Sequence, residues 1–134
     1  MKTNLAILKH IKEHCMDISE AVERFGNDYM IFEKDKHYKN AVSMSLLQIG
    51  ELSGKLSEDF RISKKSDIPW KELKAMRNLF AHNYGSMDIE KIWDTAINDI
   101  PILKDFCERQ INQYNLLNQD AIEPQYDDEE DLEM

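Results

Sequence analysis

Residues 4–25 read NLAILKHIKEHCMDISEAVERF, and their pattern decides the fold class. Leu5, Leu8, Ile11, Cys15, Ile18, Val22 and Phe25 recur at steps of three or four, which gathers them on one side of an α-helix. Lys9, His10, Lys12, Glu13 and His14 interrupt them, so the segment is neither a membrane span nor a secretory signal. A helix with one apolar stripe must bury it against other elements. Gly26-Asn27-Asp28 then supplies the stop.

The same period runs through the rest of the chain. Tyr29 to Phe32 is one short apolar turn. A second long helix is expected over Lys36 to Arg61, with Val42, Leu46, Ile49, Leu52, Leu56 and Phe60 as its buried face. Gly50 and Gly54 lie four apart within it. Each glycine costs about 1 kcal/mol relative to alanine in a helix interior, so the pair predicts a close approach by another backbone, with room for a ligand or a dimer partner as the sharper alternative. Arg61 to Asp67 reads as a polar loop. Pro69 suits a first helical position, and Trp70, Leu73, Met76 and Phe80 carry a third helix that Gly85 ends. Asp88 is a suitable N-cap for a fourth, striped by Ile89, Trp93, Ala96, Ile100, Leu103, Cys107, Ile111 and Tyr114. Pro101 within that stripe predicts a kink near Ile97. The expected fold is all-α, an up-and-down bundle of four to five helices.

The chain has 134 residues and a net charge of −9. Eight acids and no Lys or Arg fall in residues 120–134, which leaves 17 bases against 18 acids in residues 1–119. The division is therefore a nearly neutral helical domain over 1–119 and an acidic tail over 120–134. The tail is expected to be disordered. It is a solubilising end in the ordinary reading and a phosphate mimic lying over a basic cleft in the sharper one. Cys15 and Cys107 lie far apart in sequence on apolar stripes, which points to packing and to a cytoplasmic protein with reduced thiols. His10 and His14 have a spacing that can bind zinc, but no Cys or His cluster completes a ligand set. No metal site and no cofactor are expected, and there is no phosphate-binding glycine loop.

One stretch carries chemistry. Residues 77–84 read RNLFAHNY, with Arg77, Asn78, His82, Asn83 and Tyr84 among apolar residues. A guanidinium grips phosphate oxygens bidentately, and an imidazole moves protons near neutral pH. RNA brings its own nucleophile, the 2′-hydroxyl, so Arg and His suffice in principle to cleave a phosphodiester. Asn78 could orient His82 or donate to a phosphate oxygen, and Glu51 could pair with Arg77 and hold it. On an ideal helix Asn78 and His82 share a face, while Arg77 and His82 stand about 140° apart. Either the helix bends or ends near His82, or a two-fold dimer brings two copies of the motif into one cleft.

The Arg-x4-His-x-Tyr pattern of Arg77, His82 and Tyr84 resembles the signature of HepT-like toxins in the HEPN superfamily. Ile49-Gly50-Glu51 followed by Lys55-Leu56-Ser57, and Ile68-Pro69-Trp70 leading to Met76-Arg77-Asn78, extend the resemblance over roughly residues 3 to 115. The resemblance implies a homodimeric bundle with a composite cleft, or a higher even-numbered complex with a partner. It implies metal-independent endoribonuclease activity with RNA as substrate and Arg77 and His82 as the catalytic pair. It also implies a toxin–antitoxin system in which an MNT-type nucleotidyltransferase antitoxin adds AMP to Tyr84. That enzyme would be another protein, because Gly85-Ser86 is not followed by the paired acids a nucleotidyltransferase uses to hold magnesium. Each AMP would bring a phosphodiester anion and a bulky nucleoside two residues past His82. The alternative is a non-catalytic helical dimerisation module that binds a nucleotidyltransferase or nucleotides. The near-neutral body fits RNA awkwardly, since phosphate binding normally draws on several Lys and Arg.

Overall fold

The computed structural model describes residues 3–118. The acidic stretch 120–134, with both readings of it, lies outside the described residues. Seven α-helical segments follow one another: α1 (Asn4–Phe25), α2 (Tyr29–Lys34), α3 (Lys36–Ser53), α4 (Glu58–Ser63), α5 (Trp70–Asn83), α6 (Ile89–Asp94) and α7 (Ile100–Leu117). A 3-10 turn over Tyr84–Ser86 follows α5, and a π turn over Thr95–Asp99 joins α6 to α7. No strand occurs among the described residues, and no helix there is long and apolar enough to cross a membrane. The all-α bundle expected from the sequence is the fold.

The first helix has the bounds its stripe implies. Thr3 caps it by accepting from the Ala6 N–H at 3.1 Å, and Gly26 ends it at φ +123°, where a side chain is disfavoured. Leu5, Leu8, Ile11, Cys15 and Ile18 are buried between α3 and α7, the two helices that α1 packs on. Helix α5 packs on the other flank of α3. Two aromatic groups fasten the short helices. Phe32 of α2 meets Tyr38 and Trp93 with ring centres 5.0 Å apart in each case, and the Tyr38 hydroxyl donates to the Gly26 carbonyl at 2.9 Å. Phe60 of α4 stands 6.2 Å from Phe106 and 6.4 Å from Trp70.

Three boundaries differ from the sequence reading. The long helix expected over Lys36 to Arg61 is two helices, because Gly54 caps α3 and Ser57 opens α4. Ser57 accepts from the Phe60 N–H at 3.2 Å, and its own N–H donates to the Asn4 side chain at 3.0 Å, so the corner is tied to α1. Arg61, assigned to a loop, therefore lies in α4. Pro69 stands one residue before α5, at its N-cap. The kink expected near Ile97 takes the form of the π turn, whose widened register accommodates the N–H that Pro101 lacks.

Cys15 and Cys107 are both free and fully buried. Burial pushes the Cys107 thiol up to about 12, and it raises the Cys15 thiol as well, with Cys107 nearby adding to the shift. The thiolate is the reactive form. Maleimide should therefore react with neither cysteine of the native protein on a timescale that labels both in denaturant. At pH 8 the expected retardation is at least on the order of a thousandfold relative to an ordinary thiol, and intact mass reads it directly.

Candidate active site

The residues of RNLFAHNY occupy the last two turns of α5 and the 3-10 turn that follows. Met76 and Phe80 are buried and hold this end of the helix to the bundle. Asn78, His82 and Tyr84 are exposed. Arg77 lies at the edge where α5 crosses α3, with about a third of its side chain open to solvent, 35% against 36% for Glu51.

That crossing is set by Gly50. A Cβ there would lie 2.6 Å from the Arg77 Cβ, 3.1 Å from the Leu73 carbonyl oxygen and 3.2 Å from the Arg77 Cγ. Only a residue without a side chain lets the two backbones come this near. The close approach expected from the glycine pair is thus present at Gly50. It is absent at Gly54, where the nearest atom to an added Cβ, the Glu51 carbonyl oxygen, is 3.5 Å away. One residue past Gly50, Glu51 faces the arginine, and its Oε1 accepts from the Arg77 Nε. Arg77 Nη1 donates to the Asn78 Oδ1 at 3.1 Å. The guanidinium is a rigid planar fork, so holding it at Nε and Nη1 fixes the direction in which it faces. Asn78 therefore spends its amide oxygen on the arginine.

His82 is on the same helix, one residue before its end. The helix stays regular from Arg77 to His82, so the two remain about 140° apart around the axis and about 7.5 Å apart along it. A bend between them is not what brings them together. Tyr84 has left the helix. Its hydroxyl donates to the Asn40 Oδ1 on α3 at 3.5 Å, the long limit of a hydrogen bond, and its ring lies 5.8 Å from that of Phe80. Beside it a Cβ added at Gly85 would meet nothing within 4 Å, so that side of the turn is open.

The structure thus joins Arg77, Asn78 and Glu51 and keeps His82 and Tyr84 nearby on the exposed end of α5. Asn40 was not singled out from the sequence. It is 44 positions from Tyr84, and nothing local marks it. The paired histidines of α1 face acids of their own helix, His10 at 3.7 Å from Glu13 and His14 at 3.8 Å from Asp17. Among the described residues no three His, Cys, Asp or Glu side chains gather as a metal site would need.

The all-α bundle has the fold expected of the helical HEPN-like proteins. The family model described as "Ribonuclease HepT-like" matches residues 7–110. "Probable ribonuclease HepT" of Thermococcus cleftensis is 35% identical over 103 residues, covering 73% of this chain and 93% of the relative. "Putative RNase TTE0752" of Caldanaerobacter subterraneus subsp. tengcongensis is 35% identical over 113 residues, covering 84% and 95%. "Putative RNase MJ0127" of Methanocaldococcus jannaschii is 40% identical over 98 residues, covering 72% and 77%. No solved structure matches. The chain belongs to the HepT-like ribonuclease family. The family supports ribonuclease activity, with RNA as the substrate class.

Proposed function

We propose that this chain is a metal-independent endoribonuclease toxin that works as a homodimer, with Arg77 and His82 as its catalytic pair. The observation that carries this reading is the anchoring of Arg77. Glu51 engages Nε and Asn78 engages Nη1, while part of the side chain stays open to solvent. A guanidinium whose direction is fixed in advance stabilises a phosphorane dianion without reorganising. In the reaction, the 2′-hydroxyl attacks the adjacent phosphorus and the 5′-oxygen leaves. A base removes the 2′ proton and an acid protonates the departing oxygen. His82 serves one of these roles, and His82 of a second copy serves the other. The regular helical offset between Arg77 and His82 favours a cleft built from two protomers, where each chain's motif meets its copy across a two-fold axis. The products are a 2′,3′-cyclic phosphate and a 5′-hydroxyl.

Regulation follows from the same end of α5. An MNT-type nucleotidyltransferase antitoxin would place AMP on the Tyr84 hydroxyl, on an exposed turn two residues past His82. The added anions would compete with substrate phosphate for Arg77, and the nucleosides would fill the cleft.

The test is cleavage of RNA in EDTA by the purified full chain, with a cyclic phosphate on the product. Cleavage that stops in EDTA, or products ending in a simple 3′-hydroxyl, would overturn the mechanism. Co-expression with a neighbouring nucleotidyltransferase should add whole AMP masses, and Tyr84→Phe should abolish the additions without losing cleavage. Additions that persist in Tyr84→Phe would move the modification elsewhere.

A further inference from the structure

The nearly neutral charge of residues 1–119 hides a local concentration. Between Arg61 and Arg77 lie six bases, Arg61, Lys64, Lys65, Lys71, Lys74 and Arg77, against the two acids Asp67 and Glu72. On α5 they have a definite arrangement. Lys71, Lys74, Asn78 and His82 are all exposed and fall within an arc of about 80° on the helix. The row spans about 16 Å along the axis. Ala75 and Ala81, also exposed, flank it with small side chains. Glu72, the one acid of α5, sits about 80° outside the arc. At the Lys71 end the row opens into a groove of about 650 Å³ between α4 and α5, where Arg61, Lys65 and Lys71 line the wall with Ile62, Pro69 and Trp70. Arg61 is fixed there, its Nε donating to the Leu56 carbonyl at 3.2 Å. Glu58 and Glu72 also line the groove, so its cations exceed its acids by one.

A row of cations that starts beside a cleavage site and continues away from it is how a protein tracks a nucleic-acid backbone without reading its sequence. We propose that the RNA strand flanking the scissile link runs along this face, from His82 over Asn78 to Lys74 and Lys71, and enters the groove between α4 and α5. Lys71 and Lys74 are then positioning residues that contact substrate phosphates two to three turns from the chemistry. This rests on the reading of Arg77 and His82 as the cleavage pair. Such a path would let a body of near-zero net charge bind RNA, since Lys71 and Lys74 stand on one face of α5.

The experiment uses the full-length protein carrying Lys71→Gln and Lys74→Gln together. Binding of a 2′-O-methyl single-stranded RNA, which cannot be cleaved, is followed by fluorescence anisotropy across a salt series. Losing two phosphate contacts should lower the slope of log affinity against log salt by about 1.4. On cleavable RNA, KM should rise roughly tenfold with kcat unchanged, because only uniform binding is removed. Arg24→Gln with Arg109→Gln, exposed cations on α1 and α7, should leave the slope as it is, and Lys71→Arg with Lys74→Arg should restore it. An unchanged slope in the glutamine pair, or an equal loss in the Arg24 and Arg109 control, overturns the proposal. So does a glutamine pair that changes oligomeric state, which would make the face a contact between protein chains. Because the slope is read on an uncleavable strand, a protein that binds through the row but cuts nothing would sink the Arg77 and His82 reading and leave the strand path standing.

Discussion

Exchanging His82 for alanine is expected to slow RNA cleavage by about 10²- to 10⁴-fold, the usual contribution of a positioned acid–base group. Arg77→Ala should cost about 10²- to 10³-fold, the loss that follows removal of one donor aimed at developing negative charge. Both proteins should stay folded. His82 is exposed, and the Arg77–Glu51 pair is open enough to solvent that its loss should cost no more than about 1 kcal/mol. Mixing the two inactive variants gives a sharper result. If one cleft pools the groups of both chains, a mixed dimer keeps one guanidinium and one imidazole there, and some cleavage returns, below the parent's rate because only one of the two proton-transfer roles is filled by a histidine. If each chain used only its own pair, every site in the mixture would lack one group and none would return. Full activity in both single variants would remove these residues from the reaction altogether.

The second large effect is expected at Gly50, which touches no substrate in this reading. In Gly50→Ala the new methyl would meet the Arg77 Cβ and the Leu73 carbonyl. Neither is the loose end of a long side chain that could swing away, so α3 and α5 must separate. Overpacking of this kind costs about 1–3 kcal/mol, against about 1 kcal/mol gained in helix propensity. The melting temperature should fall by several degrees. Cleavage should fall further than the folded fraction does, because moving the helices apart also moves Arg77 relative to Glu51. Gly54→Ala is the contrast. Its Cβ would find only ordinary contacts, 3.5 Å at the nearest, and its φ of −68° suits alanine, so stability should hold or rise slightly. A Gly50→Ala protein as stable and active as the parent would mean that the crossing relaxes without consequence.

These two glycines show where the sequence was legible and where it was not. Period and capping sufficed for α1, whose bounds Asn4–Phe25 follow from its stripe and from Gly26. Asp88 as an N-cap and a distortion around Ile97 were legible for the same reason, since each is a local backbone requirement. The break between α3 and α4 is hidden in the sequence, because Leu52, Leu56 and Phe60 keep their four-residue spacing across it. The signal that could have marked it is Ser57 followed by Glu58 and Asp59, a capping residue before two acids in a first turn. Glycine spacing foretold a close approach without saying which element makes it. The pairing of Glu51 with Arg77 is expected from charge and is present across 26 positions, but that Gly50 is the point where the Arg77 helix crosses α3 is encoded by no local pattern. The sequence motif alone also left open whether its helix bends. The structure keeps α5 regular through His82 and ends it one residue later, at Asn83, so no bend lies between Arg77 and His82. The cationic row leaves no mark on the net charge, which averages over faces, and only the helix phase separates Lys71 and Lys74 from Glu72.

The turn that carries Tyr84 is open beside Gly85, and the phenol is 44% exposed, its hydroxyl meeting Asn40 only at the long limit of a hydrogen bond. A phenol displayed in that way is accessible after folding is finished, with only the long bond to Asn40 to give up. Under the proposed regulation, an antagonist that modifies this phenol need not remain attached to keep the protein silent, so a few molecules of it would disarm many copies, and the effect would outlast the antagonist itself.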